Sequence, residues 1–110
     1  MAKVDLILIS GITAGDGSLV ASGATLKFDS VFKAGSLFIR IEPRLYRNRS
    51  LFESGFTHIH IAEEVIPYDF EIEFAEEDFY ILTPLALYQE VGLWLNAFMG
   101  DNYFELEIIE

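Results

Sequence analysis

Residues 83–100 read TPLALYQEVGLWLNAFMG, the one clear helix in a chain whose other apolar segments read as strands. Thr83 suits an N-cap, and Pro84 suits the first helical position, where a missing N–H goes unnoticed. Gly100 is a natural C-terminal stop, with Asp101 and Asn102 continuing the turn. About sixteen residues at ~1.5 Å each make a rod of roughly 24 Å. Leu85, Tyr88, Val91, Leu95 and Phe98 form one apolar stripe, and Leu87, Trp94 and Met99 form a second beside it. Only Gln89, Glu90 and Asn96 are strongly polar. A helix resting on one sheet needs a single stripe, so this one is expected to be covered on more than one side. Either it sinks between a sheet and a long loop, or Leu87 and Trp94 face another subunit.

Upstream, Lys3–Ile9 is a short apolar run with strand character. Ala14-Gly15-Asp16-Gly17 predicts a tight hairpin, because Asp-Gly tolerates positive φ. Its glycines match neither the phosphate-loop nor the dinucleotide spacing. Residues 24–32 alternate Leu26 and Phe28 with Lys27 and Asp29. Ala34-Gly35 turns the chain into residues 36–46, where Leu37, Ile39 and Ile41 share a face. Pro43 has no N–H to give a ladder, so that strand is expected to be an edge, bulged or broken there. Residues 56–61, FTHIHI, read as another strand, with Ile59 and Ile61 opposite His58 and His60. Residues 69–74 alternate without error, acids outward and Phe70, Ile72 and Phe74 inward. Residues 75–82 suit either a strand or a short helix with acids in its first turn. After the long helix, residues 103–109 predict a closing strand with Phe104, Leu106 and Ile108 inward. The expectation is one domain, 1–110, mainly β (α+β): a β-sandwich or barrel-like sheet carrying one long C-terminal helix followed by a final strand.

Composition narrows the function. The 110 residues include no cysteine, which removes disulfides, cysteine metal sites and thiol nucleophiles. Apolar residues make up 52%, with ten Phe, which favours a dense core plus an interface. No apolar run is long enough to span a bilayer, and the start lacks the order of a signal peptide, so synthesis in the cytoplasm and no membrane partner are expected. Net charge is −11, and it is divided unevenly. All seven cations fall in residues 1–55, against five acids, a balance of +2; residues 56–110 carry thirteen acids and no cation. An acidic total argues against nucleic-acid binding, which rests on phosphate neutralisation. A split of this kind suits complementary faces, within one subunit or between copies.

Candidate chemistry is sparse. His58 and His60, two apart on a strand, share a face, and with Glu64 their spacing resembles the first metal motif of the cupins. The departures are Glu71 where that motif ends in glycine, Gly55 too close to His58, and no third histidine for a second motif. Asp69, Glu71, Glu73, Glu76, Glu77 and Asp78 lack the glycine-centred pattern of a calcium loop and read as a solvated face. Arg40, Arg44, Arg47 and Arg49 are four of the seven cations. Arginine pairs bidentately with carboxylates and is enriched at interfaces, so the expected partner is Asp69, Glu71 and Glu73, or the Glu76–Asp78 group, in the same chain or the next copy. No nucleophile–base set, nucleotide fingerprint or cofactor motif is present, and no catalytic or cofactor-binding residue is assigned.

The Gly-rich hairpin start (GITAGDGSLVASGATLKF), the strand ending Leu45-Tyr46-Arg47, the Ile66-Pro67 connection, the Leu82-Thr83-Pro84 helix entry and the acidic last strand together resemble small virion proteins of tailed bacteriophages and prophages, the tail, neck or capsid-associated components. The resemblance implies a non-enzymatic, homo-oligomeric β-rich structural subunit of a virion, without cofactor, whose partners are its own copies and neighbouring structural proteins. Two other classes compete. One is a small-molecule or carbohydrate-binding β-sandwich module using Trp94, Tyr46 or Tyr103 as stacking surfaces; the other is a cupin-like metal-binding barrel.

Overall fold

A computed structural model describes residues 3–55 and 57–109. Five strands make one antiparallel sheet: β1 (Lys3–Leu8), β4 (Thr25–Phe32), β5 (Phe38–Tyr46), β6 (Phe70–Glu73) and β7 (Phe104–Ile109), in the order β6-β5-β4-β1-β7. A two-stranded ribbon, β2 (Ile12–Thr13) and β3 (Leu19–Val20), closes through the expected Asp16-Gly17 turn. Three helices complete the chain: α1 (Arg49–Glu53), α2 (Glu76–Phe79) and α3 (Pro84–Met99). The fold is thus mainly sheet, with one long helix followed by a final strand. It is a single open sheet whose second layer is α3, where a sandwich would place a second sheet.

α3 has the expected ends. The Thr83 hydroxyl accepts from Ala86 N at 3.2 Å, Pro84 follows, and Gly100 closes the helix with φ 82°. Its phase on the sheet is set by Leu87, Val91 and Leu95, one turn apart and buried. They cover a row that runs across four strands: Leu45 opposite Leu26, Leu26 opposite Leu6, and Leu6 opposite Leu106. Gly92 lies on Leu6 so closely that a Cβ there would stand 2.9 Å from Leu6 Cδ2. A glycine inside a helix weakens it by about 1 kcal/mol relative to alanine, and this close approach is its structural role. Leu85, Leu93 and Phe98 remain exposed.

Pro43 leaves β5 unbroken. The carbonyls of Leu37 and Leu45 both face the β6 side, bonded by Phe74 N at 3.0 Å and Ile59 N at 2.7 Å. By the two-residue period Pro43 faces that side too. β6 pairs only as far as Ile41, so the missing N–H falls in the gap between β6 and Ile59, where no ladder needs it.

The expected strand at 56–61 does not form. Phe56, where it would begin, lies outside the described residues, and Ile59 makes one isolated bridge to Leu45. β6 occupies the neighbouring stretch of the β5 edge. The segment instead ties β5 to the ribbon, with Gly15 N donating to His60 O at 2.7 Å. A Cβ on Gly15 would come within 2.2 Å of His60 Cδ2, so any side chain there would have to displace the His60 ring from this seam. Residues 76–79 resolve the expected ambiguity as one helical turn.

Candidate interaction surfaces

The sheet has two faces. α3 covers one. The other carries a charge cluster centred on Asp5, which is 1% exposed. Lys27 pairs with Asp5 Oδ1, and Arg49 Nε donates to Asp5 Oδ2 at 2.9 Å. Arg49 also reaches Glu107 at 3.2 Å, joining β1 to β7 across this face. The hydrogen bond to Asp5 holds the Arg49 guanidinium more firmly protonated than a free side chain. α1 sits over the same region, started by Asn48, whose side chain accepts from Leu51 N at 2.9 Å. Phe52 of this helix packs edge-on to Tyr46, and Lys27 lies over its ring. On the helix side, burial and then the Asp5 charge push the Tyr88 phenol above its ordinary pKa. In the ribbon turn, hydrogen bonds from the Ser18 hydroxyl and amide hold the Asp16 carboxyl low.

The other arginines also find partners inside the subunit. Arg44 pairs with Asp29 at 2.6 Å. Arg40 meets Glu42 at 3.2 Å and Asp69 at 4.0 Å, and stands opposite Glu71 in the ladder. Arg47 donates to the Leu19 carbonyl at 3.4 Å and Ser18 Oγ at 3.5 Å. Only Arg40 therefore approaches the 69–73 strand; Arg44, Arg47 and Arg49 use other acceptors. Glu71 and Glu73 are exposed on β6.

Leu87 is buried in the subunit core, so it is not an exposed contact residue. Trp94 is half-buried and nearly parallel to Phe70 on β6, with ring centroids 3.8 Å apart, and to Phe98, at 5.4 Å. Tyr46 is buried and Tyr103 half-buried. The three rings named as stacking surfaces are thus largely engaged by the subunit itself.

His58 and His60 project from the tie segment beside Tyr46 and Tyr68. The recess beside them is about 60 Å³, room for a water or two. Glu64 lies elsewhere, at a recess shared with the ribbon and Met99. Among the described residues, no three His, Asp or Glu side chains come together as a metal-ligand set. Nor does any buried side-chain nitrogen or oxygen among them lack a hydrogen-bond partner. No helix among them is long and apolar enough to cross a membrane.

Two surfaces with exposed apolar side chains stand out. One is at the tip of the β4–β5 hairpin, where Phe32 (57% exposed), Phe79 and Tyr80 (73%) border a recess of about 470 Å³, with Ile81 (75%) next in the chain. Phe32 and Phe79 meet edge-on at 6.1 Å, and Phe79 and Tyr80 at 5.7 Å. The other is a mixed groove of about 480 Å³ between α3 and β7, floored by Leu6 and Gly92, walled by Leu93 and Leu106, and bordered by the polar Gln89, Glu90, Asn96 and Glu105. Neither stood out in the sequence; the mid-helix glycine was the available signal for the second. No protein-family model, curated protein or solved structure matches the chain.

Proposed function

We propose that this protein is a non-catalytic structural subunit that self-assembles. The observation that carries the reading is the aromatic tip, where Phe32 and Tyr80, each more than half exposed, border one recess with Phe79, and the exposed Ile81 follows Tyr80 in the chain. Clustered apolar side chains of this kind cost solubility in a monomer and are covered in an assembly. The tip rather than the arginine cluster is the self-association surface in this reading, since the guanidinium groups already have acceptors within the subunit. The resemblance to tailed-phage structural proteins makes a virion the setting that fits, with tail, neck or capsid as the place. The carbohydrate-binding alternative is less well supported, because its stacking rings are engaged internally.

Light scattering coupled to size-exclusion chromatography tests the reading. The wild-type chain is expected to grow in mass with concentration, little affected by salt, and the double variant Tyr80→Ser, Ile81→Ser to remain a monomer. A wild-type monomer at high concentration overturns it. The virion setting is tested separately, by mass spectrometry of purified particles for a fixed copy number of the chain.

A further inference from the structure

The outer edge of β7 is open in a specific place. Tyr103 O faces β1, where it accepts from Ile9 N at 2.8 Å. By alternation Glu105 and Glu107 face β1 as well, while Phe104, Leu106 and Ile108 turn their backbone groups outward. Phe104 is already satisfied: its N–H donates to Asn96 Oδ1 at 2.8 Å and its carbonyl accepts from Asn96 Nδ2 at 3.0 Å. The Asn96 amide makes the two bonds that a neighbouring strand would make. Beyond it, among the described residues, no strand pairs with Leu106 or Ile108 on this side.

The side chains divide by face. Leu106 lines the groove with Leu93, which is 64% exposed, and by alternation the 59%-exposed Ile108 shares the α3 side beyond it. By alternation the Glu105 and Glu107 side chains belong to the opposite face, where Glu107 is bridged to Arg49, while Glu105 and Glu90 both border the groove. A strand added here would place apolar residues opposite Leu106 and Ile108, and the residue between them beside Glu107.

A second copy fits this edge badly. The antiparallel register that engages Leu106 and Ile108 of both copies sets Glu107 directly opposite Glu107, each carboxylate already shared with its own Arg49, so this register gains no opposite-charge pair. The β6 edge of another copy fails differently. Its outward-facing residues are Glu71 and Glu73, because Phe74 N faces β5. They would bring carboxylates alongside Leu106 and Ile108. The charge calls for the opposite sign.

We propose that the β7 edge, with the α3–β7 groove, accepts an extended segment of a different protein that alternates apolar and basic residues. It adds as a sixth strand after β7, apolar side chains against Leu93, Leu106 and Ile108, and basic ones beside Glu105 and the Arg49-bridged Glu107. This surface is separate from the aromatic tip, so it stands or falls independently of self-assembly.

The probe is a short acetylated peptide alternating Val and Lys, titrated into the full chain and followed by amide NMR. The expected result is saturable binding with the largest shifts at Leu106, Ile108 and Leu93. N-methylating the peptide amides that face β7 is expected to weaken binding about tenfold or more, the equivalent of about 1.4 kcal/mol. Ile108→Lys, at an exposed site, should weaken it similarly, and Glu105→Lys should weaken it several-fold. Equal binding by a peptide of the same composition with its lysines grouped, or by one alternating Val and Glu, overturns the proposal. So do shifts centred on β6, or a homodimer that Ile108→Lys dissociates.

Discussion

The two edges of the sheet are both acidic and behave as opposites. β6 is four residues long and turns the backbones of Glu71 and Glu73 outward. β7 is six residues long and turns the backbones of Leu106 and Ile108 outward, keeping its glutamates on the inward-facing positions. Short, charged edges resist pairing with other chains, and longer apolar ones invite it. One residue of phase therefore separates a guarded edge from an available one, although both segments read as alternating acid and apolar in sequence.

Four substitutions and one titration break or sharpen that contrast. Trp94→Ala should have the largest effect. It removes the ring against Phe70 and should cost about 3 kcal/mol in chemical denaturation, the low end for such a truncation because the ring is half-buried. β6 amides should lose hydrogen-exchange protection first. Asn96→Ala should cost about 2 kcal/mol, since it strips partners from the Tyr103 and Phe104 amides. Exchange should then quicken at the start of β7 and leave β6 unchanged. Arg49→Met cuts the link from Asp5 to Glu107 and should speed exchange along β7 several-fold, with Lys27 still holding Asp5. Glu71→Val should shift stability by no more than about 0.5 kcal/mol. Its readout is association: an unguarded β6 edge should increase apparent mass in light scattering, and no increase would show that its shortness alone suffices. The smallest effect lies between the edges, at Tyr88. Its raised pKa means that the folded state favours the protonated phenol. That stability is present below the unfolded tyrosine pKa and is lost as pH rises through the folded one. An ultraviolet titration of the phenolate should place Tyr88 above the free side chain.

The sequence revealed some features clearly and others not at all. The ends of α3 were readable because capping is local: Thr83, Pro84 and Gly100 act on their own turns. The β6 alternation and the Asp16-Gly17 turn were readable for the same reason. The face that α3 turns to the sheet was not. A helix apolar nearly all round gives period without phase, so Leu87 looked available and is buried, while Phe98 looked buried and is exposed. Gly92 carried the missing phase, since its bare backbone packs on Leu6. The 57–61 segment forms only the Ile59–Leu45 bridge, because the next pairing position on β5 is Pro43, which has no N–H, and β6 takes the edge beyond it. α1, five residues long, is too short to show a period. Ile108 shares the face of Leu106 but stays 59% exposed rather than turning inward. The arginine partners depended on ladder register, which composition does not encode.

The Asn96 amide has a quantitative consequence. By taking Phe104, it leaves two outward-facing residues, Leu106 and Ile108, to bond a guest strand. At a net ~0.5–1.5 kcal/mol per hydrogen bond, so short a contact holds a single guest weakly and releases it quickly. Tethered guests meeting many copies of the edge on one assembly would be retained by avidity, with residence set by copy number and linker length. The same edge on a lone subunit would stay reversible.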